Sequence, residues 1–237
     1  MSIAGKKVVI TGGSSGIGLV TAQAVVAQEA HVIIVGRSPE KLRVARQQIG
    51  KNVETTELDV TKEADVQSFF EAVGPFDHLI TAAGPEAGDQ PLLQLETGAA
   101  RAMFESKFWG QYYAVKYAAP SLRSGGTITL FSGWISRKPM AGLSTFAAID
   151  GAIESLARVL ALELAPIRVN VVTPGVIQTP LWNPLPEEAR RATLSSFASA
   201  LPVQRVGQSE DVSKAILYLI DNGFSTGAVV DIDGGQK

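Results

Sequence analysis

A chain of 237 residues with 46% hydrophobic and 19% charged residues is globular in composition and long enough for one large α/β domain or two small ones. Its 21 basic and 23 acidic residues leave a net charge of −2, so no basic field argues for a nucleic-acid or acidic-membrane partner. The absence of cysteine excludes disulfides and thiolate catalysis, and two histidines with no acidic cluster at ligand spacing leave no metal site expected.

The N-terminus, MSIAGKKVVI, runs directly into a strand pattern without a signal peptide. No uncharged apolar run reaches transmembrane length, and a cytoplasmic protein is expected. In chain order, KKVVIT, HVIIVG, VETTELD, FDHLITAAG, GTITLFS, RVNVVTPG and VVDIDGG read as strands. Between them VTAQAVVAQEA, PEKLRVARQQI and EADVQSFFEAV carry apolar residues at helical spacing. Such alternation predicts parallel βαβ units in a doubly wound sheet. Two helical runs are longer, over 97–122 and 144–165. No low-complexity linker divides the chain, so 1–237 reads as one domain. His31 opens an apolar run and His78 sits in FDHLI, and both read as satisfied structural residues. The segment from 179 to about 205 holds Pro180, Pro184, Pro186 and Pro202 after a strand end and is a candidate lid.

The first strand runs into TGGSSGIG and then a helix. Gly12 allows the tight turn, Gly16 lets the backbone approach a pyrophosphate, and Gly18 lets the helix pack on the strand. Ser14, Ser15 and Ile17 complete the loop, whose free N–H groups and helix dipole suit phosphates. An ordinary glycine-rich turn is the alternative. At the end of the second strand an acid would accept from the ribose hydroxyl of NAD, but Gly36 stands there, followed by Arg37 and Ser38. Arg37 can clamp a 2′-phosphate and Ser38 can donate to it, which favours NADP(H) over NAD. The alternative is a solvated surface arginine.

With these residues the chain resembles the short-chain dehydrogenase/reductase family over nearly its whole length. TGGSSGIG is similar to the family's TGxxxGxG, and LDVT to the motif that meets the adenine, implying Asp59 with Val60. TAAG stands at the family's NNAG, implying Ala83 and Gly84. TPGVIQT resembles the segment that holds the nicotinamide amide, implying Pro174, Gly175, the Ile177 backbone and Thr179. DIDGG resembles the family's last strand end. The resemblance implies a Rossmann-type domain with a mostly parallel seven-stranded sheet, a carbonyl or alcohol substrate, and a homodimer or homotetramer paired through the two long helical runs.

It also implies an Asn, a Ser, a Tyr and a Lys as the working residues. Here Lys107 stands at the asparagine, Gly133 at the serine, Phe146 at the tyrosine and Asp150 at the lysine. Ser132 neighbours Gly133 but points to the opposite face of a strand, and Ser144 and Thr145 point away from Phe146 on a helix. A carboxylate on the inner face of an apolar helix needs a partner, so Lys107 and Asp150 are expected to form an ion pair, with Asp150 accepting from ribose hydroxyls. Capping of the helix start, or solvation in an empty cleft, is the alternative for Asp150. Lys107 is the group with a proton to give.

Two functional readings stand. One is an oxidoreductase with a rebuilt acid/base centred on Lys107 and Asp150. The other is an NADP(H)-binding sensor or oligomer partner without turnover, for which Phe146 keeps the tyrosine's shape without its hydroxyl. Trp134, Ile135, Phe146, Phe108 and the region of Leu181 and Trp182 are the expected pocket walls, suited to an apolar or aromatic substrate.

Overall fold

The computed structural model describes residues 3–84 and 89–236. Its elements in chain order are β1 (Lys7–Thr11), α1 (Gly16–Val26), β2 (His31–Gly36), α2 (Pro39–Ile49), β3 (Val53–Glu57), α3 (Glu63–Val73) and β4 (Phe76–Thr81). There follow α4 (Thr97–Phe104), α5 (Gly110–Ala118), β5 (Leu122–Phe131), α6 (Ser144–Glu163) and β6 (Arg168–Pro174). The chain closes with β7 (Ile177–Gln178), α7 (Glu187–Ala200), β8 (Gly207–Gln208), α8 (Ser209–Asp221) and β9 (Val229–Ile232).

Seven strands pair in the order β3-β2-β1-β4-β5-β6-β9, all parallel. Strand order reverses between β1 and β4, which is where a crevice opens at the carboxyl ends of a doubly wound sheet. The sheet is covered on both faces, so its central strands are apolar on both sides: Val8, Val9 and Ile10 of β1 are fully buried. One core packs α3, α4, α5 and α6 through Val66, Phe70, Met103, Ala114, Ile149 and Ile153. The other packs α1, α2 and α8 through Ala22, Val25, Leu42, Val212 and Ile216. On α6, Ile149, Ile153, Ala157 and Ala161 recur every fourth residue and form the buried stripe. Asp150 and Glu154 follow it one step round the helix and are buried with it.

The structure departs from the sequence pattern in three places. The expected helix over 97–122 is interrupted by a π-helical turn, Glu105–Trp109, in which the Gly110 amide donates to the Glu105 carbonyl, and β5 takes over at Leu122. Gly110 is required there, because a Cβ would lie 2.8 Å from a Val60 methyl. The lid segment is built around a short turn, Pro180–Trp182, and the α7 helix, and its base is tied by the pairing of β7 with β8. The two histidines differ. His78 is buried, its Nδ1 lies 2.9 Å from the Thr127 hydroxyl, and burial pulls its pKa down to about 4. His31 is exposed and has no structural role of that kind, because β2 begins at the sheet's amino end.

Candidate cofactor cleft and buried ion pair

A cleft of about 520 Å³ opens at the carboxyl ends of β1, β2 and β4. Gly12, with φ +73°, sits so close to β4 that a Cβ would lie 2.5 Å from the Ala83 nitrogen. Gly16, at φ +52°, turns the chain into α1. Ser15 enters that helix in extended geometry with no side-chain cap bond, and no acid lies in the first turn. The N-terminal N–H groups and the positive end of the helix are therefore free for an anion.

Gly12, Ser14, Ser15, Gly16, Ile17 and Gly18 line the cleft as expected from their motif, and so do Arg37, Ser38, Asp59, Val60, Ala83, Gly84 and Thr179. Ser38 caps α2, its Oγ accepting from the Lys41 amide at 3.2 Å, so its hydroxyl proton remains available to a phosphate oxygen. Asp59 Oδ1 accepts from the Thr61 amide at 3.0 Å and the Thr61 hydroxyl at 2.9 Å, which fixes the carboxylate at the cleft wall. Lys41 is a lining residue that sequence reasoning missed. Its signal was its place in the first turn of α2, one turn after the Arg37–Ser38 pair. Ser106 was also missed, whereas Pro180 and Pro184 of the expected lid do line the cleft.

Pro174, Gly175, Ile177 and Asp150 do not line this cleft. Gly175 is a packing glycine, since a Cβ would meet Asp233 Cα at 2.7 Å. The Ile177 carbonyl accepts from the Trp182 indole at 2.8 Å, and the Ile177 side chain is buried. Among the expected pocket walls, Leu181 lines the cleft, Ile135 is buried, and Phe108 instead joins Trp109 and Tyr112 in an aromatic cluster on the helix face.

Beneath the Gly133 segment lies the ion pair. Lys107 Nζ meets Asp150 Oδ1 at 2.5 Å, with the Asp150 side chain 2% exposed and that of Lys107 13%. The ammonium also sits over the Phe146 ring, 5.2 Å from its centroid, an arrangement that attracts a cation to the ring face. Lys107 is held by the π turn, whose geometry is fixed by one buried amide. Gln111 Nε2 donates to the carbonyls of Lys107 (2.8 Å) and Phe131 (2.9 Å), and its Oε1 accepts from the Phe131 amide (2.9 Å) and the Thr81 hydroxyl (2.5 Å).

Asp150 Oδ2 occupies the space that a side chain at position 133 would need, 2.5 Å from an ideal Cβ. Gly133 is extended, with φ −164°, a conformation open to any residue. Glycine is therefore demanded there by the carboxylate and not by the backbone. Burial holds the Asp150 carboxyl above its ordinary range; Lys107 opposes this, and Glu154 adds to it. Glu154 is itself buried and accepts from the Ser136 hydroxyl at 2.6 Å and the Ser132 hydroxyl at 3.0 Å, with Arg137 Nε 3.6 Å from its other oxygen. Ser132 therefore points under α6, away from the side of Gly133. The start of α6 is capped by Asp89, whose Oδ2 accepts from the amides of Thr145 (2.6 Å) and Phe146 (3.0 Å), so Asp150 is not its cap.

A family model described as enoyl-(acyl carrier protein) reductase matches residues 12–237. The chain is 32% identical to a 3-oxoacyl-[acyl-carrier-protein] reductase of Mus musculus, with 96% of each chain covered. It is 31% identical to a short-chain dehydrogenase/reductase of Stachybotrys chlorohalonatus (strain IBT 40285), covering 99% of this chain and 98% of that one. A solved small-chain dehydrogenase in complex with NADPH superposes with a TM-score of 0.82 at 36% identity, with 97% of each chain covered. Sharing sequence and fold with these proteins over almost its full length, the chain belongs to the short-chain dehydrogenase/reductase family.

Proposed function

We propose that the protein is an NADP(H)-dependent oxidoreductase acting on a small carbonyl or alcohol, with Lys107 as the proton-carrying group and Asp150 as its positioning partner. The observation that carries the cofactor assignment is the adenosine end of the cleft, where Arg37, Ser38 and Lys41 converge and no acid replaces Gly36. The solved relative in complex with NADPH supports the same choice, as does the solved structure of ElxO with NADP bound, at 30% identity and a TM-score of 0.88. When bound, the cofactor supplies the hydride. The chain's own residues cradle phosphates at the α1 N-terminus, clamp the 2′-phosphate, and hold a proton on Lys107 Nζ, which lies at the Asp150 carboxylate and over the Phe146 ring, just outside the residues that line the cleft. Asp150 aims that ammonium; its near-complete burial suits a positioning role better than contact with a ribose.

NADPH should bind at least tenfold more tightly than NADH, and Arg37→Ala should weaken NADPH by roughly 10- to 100-fold, the worth of a charge-assisted hydrogen bond. Titration of both cofactors checks this. Equal affinities, or an unchanged NADPH affinity in Arg37→Ala, would exclude the assignment.

One observation favours a second reading, a protein that binds NADP(H) without turnover: the Lys107 ammonium is committed to Asp150 and covered by Phe146. Cofactor binding without consumption across a panel of carbonyls is the mark of that reading.

We also propose a homodimer or homotetramer. Trp109 and Tyr112 of the central helix pair and Val159 (50% exposed) and Leu162 (80%) of α6 leave an apolar face open on the helices that the family resemblance assigns to pairing. Sedimentation at micromolar concentration should give a multiple of the 25.0 kDa chain, and a monomer would contradict it.

A further inference from the structure

Glu154 is a buried carboxylate that the proposed chemistry does not use. It follows Asp150 by one turn on the same face of α6, and their side chains are 8% and 2% exposed. Like charges at this spacing repel, more strongly away from water, so each makes the other harder to ionise. Two sets of contacts hold Glu154. The Ser132 and Ser136 hydroxyls donate to its Oε1, and the same two oxygens lie 3.2 Å from the Asp150 carbonyl and 3.3 Å from the Gly133 carbonyl, respectively. Arg137 Nε lies 3.6 Å from its Oε2, and the guanidinium is anchored beyond by Asp231 and the Thr173 hydroxyl.

The remaining charges on α6 and on the elements packed against it are turned elsewhere. Arg101 of α4, Glu105 of the π turn, and Arg158 and Glu163 of α6 are exposed. Arg123 of β5 pairs with Asp77, Lys138 pairs with Asp233, and Arg168 of β6 donates to the Leu219, Ile220 and Ser225 carbonyls. Asp89 is bound at the start of α6. Lys107 and Glu154, with Arg137 behind it, are therefore the charges that face Asp150.

We propose that Glu154 and Arg137 are positioning residues for the Lys107–Asp150 pair: the Glu154 carboxylate, balanced by the Arg137 guanidinium, sets the charge that Asp150 carries and clips the Gly133 segment against it. The two act in opposite directions. Glu154 pushes Asp150 toward its protonated form, and Arg137 offsets Glu154. The Asp150 carboxyl, held above its ordinary range by burial and by Glu154, against the pull of Lys107, agrees with this. The consequence for turnover rests on the reading of Lys107 as proton carrier. A protonated Asp150 no longer aims the ammonium, so kcat falls as pH drops through the Asp150 titration.

The test is a carbon NMR titration of protein labelled at the aspartate carboxyls. The Asp150 signal is the one absent from Lys107→Met/Asp150→Asn. Glu154→Gln keeps the size and an acceptor for both serines, and should move the Asp150 midpoint to lower pH than in the parent. Arg137→Met leaves Glu154 uncompensated and should move it to higher pH. The acid limb of kcat should shift in the same two directions. A role in packing alone gives no such opposed pair. Unmoved midpoints, or shifts of the same sign, would overturn the proposal. The Arg137 side chain is 41% exposed, so Arg137→Met should fold, and its arm decides alone should Glu154→Gln not fold. The NMR titration needs no turnover, so its failure is distinct from failure of the oxidoreductase reading.

Discussion

Lys107→Met and Asp150→Asn should each lower the stability of the protein by about 3–5 kcal/mol, because each leaves a buried charge without its partner. Paired substitution, Lys107→Met with Asp150→Asn, should cost far less than the sum, since both charges leave together. Urea denaturation of the four proteins measures the coupling. The cost of Lys107→Met should also depend on pH. The folded-state pKa of Asp150 is already above the ordinary 3.8 because of burial, and loss of the ammonium removes the interaction that opposes this. A carboxyl with a raised folded pKa favours the fold while both states are protonated. That advantage fades as pH climbs from about 3.8 through the folded value. Lys107→Met should therefore be closest to parental stability in acid and weakest near neutrality. Additive costs and a flat pH profile would mean that the two charges act independently.

Gly133→Ser should be destabilising by about 1–3 kcal/mol, although it restores the residue type the family pattern puts there. The new Cβ would lie 2.5 Å from Asp150 Oδ2, and the carboxylate has little room to retreat, held by Lys107 on its other oxygen. Gly133→Ala should cost about as much, which separates the steric cause from any effect of the hydroxyl. In a Lys107→Asn/Asp150→Ser background the carboxylate is gone, and there the serine at 133 should be nearly neutral. Thermal or urea denaturation decides it. An equal cost in both backgrounds would sever the link between Gly133 and Asp150. The same link explains why Phe146→Tyr alone should not restore a family-like site. The phenol would stand beside a carboxylate, which opposes phenolate formation, and beside a glycine that offers the substrate no hydroxyl.

The parts of the site that the sequence discloses are those coded by adjacent residues. TGGSSGIG and GRS each lie within one loop, and their chemistry follows from glycine freedom and a guanidinium fork, so their role is legible from adjacent residues. The Lys107–Asp150 pair spans 43 residues and was accessible through the family register together with the rule that buried charges need partners. What escaped depends on contacts that no periodicity records. The π turn adds a residue to a helix whose apolar spacing, Phe104, Phe108 and Tyr112, continues through it. Gln111 of α5 fixes that turn by tying it to Phe131 of β5, 20 residues away, and Asp89 caps α6 from 56 residues away. Strands β7 and β8 have two residues each, below the length at which alternation can be seen. Helix α7 was hidden by its prolines, which flank it without entering it.

The central claim is that Lys107 carries the proton in an NADP(H)-dependent carbonyl reduction. It is tested most directly by steady-state NADPH consumption against a panel of apolar and aromatic carbonyls, with NADP⁺ reduction by the matching alcohols as the reverse arm. The parent and Lys107→Met are compared after titration shows that both bind NADPH. The account predicts measurable consumption by the parent and a kcat lower by roughly 10²- to 10⁴-fold in Lys107→Met, the usual worth of a positioned acid, with NADPH affinity little changed. Equal kcat in the two proteins, or NADPH binding with no turnover by the parent in either direction, would contradict it.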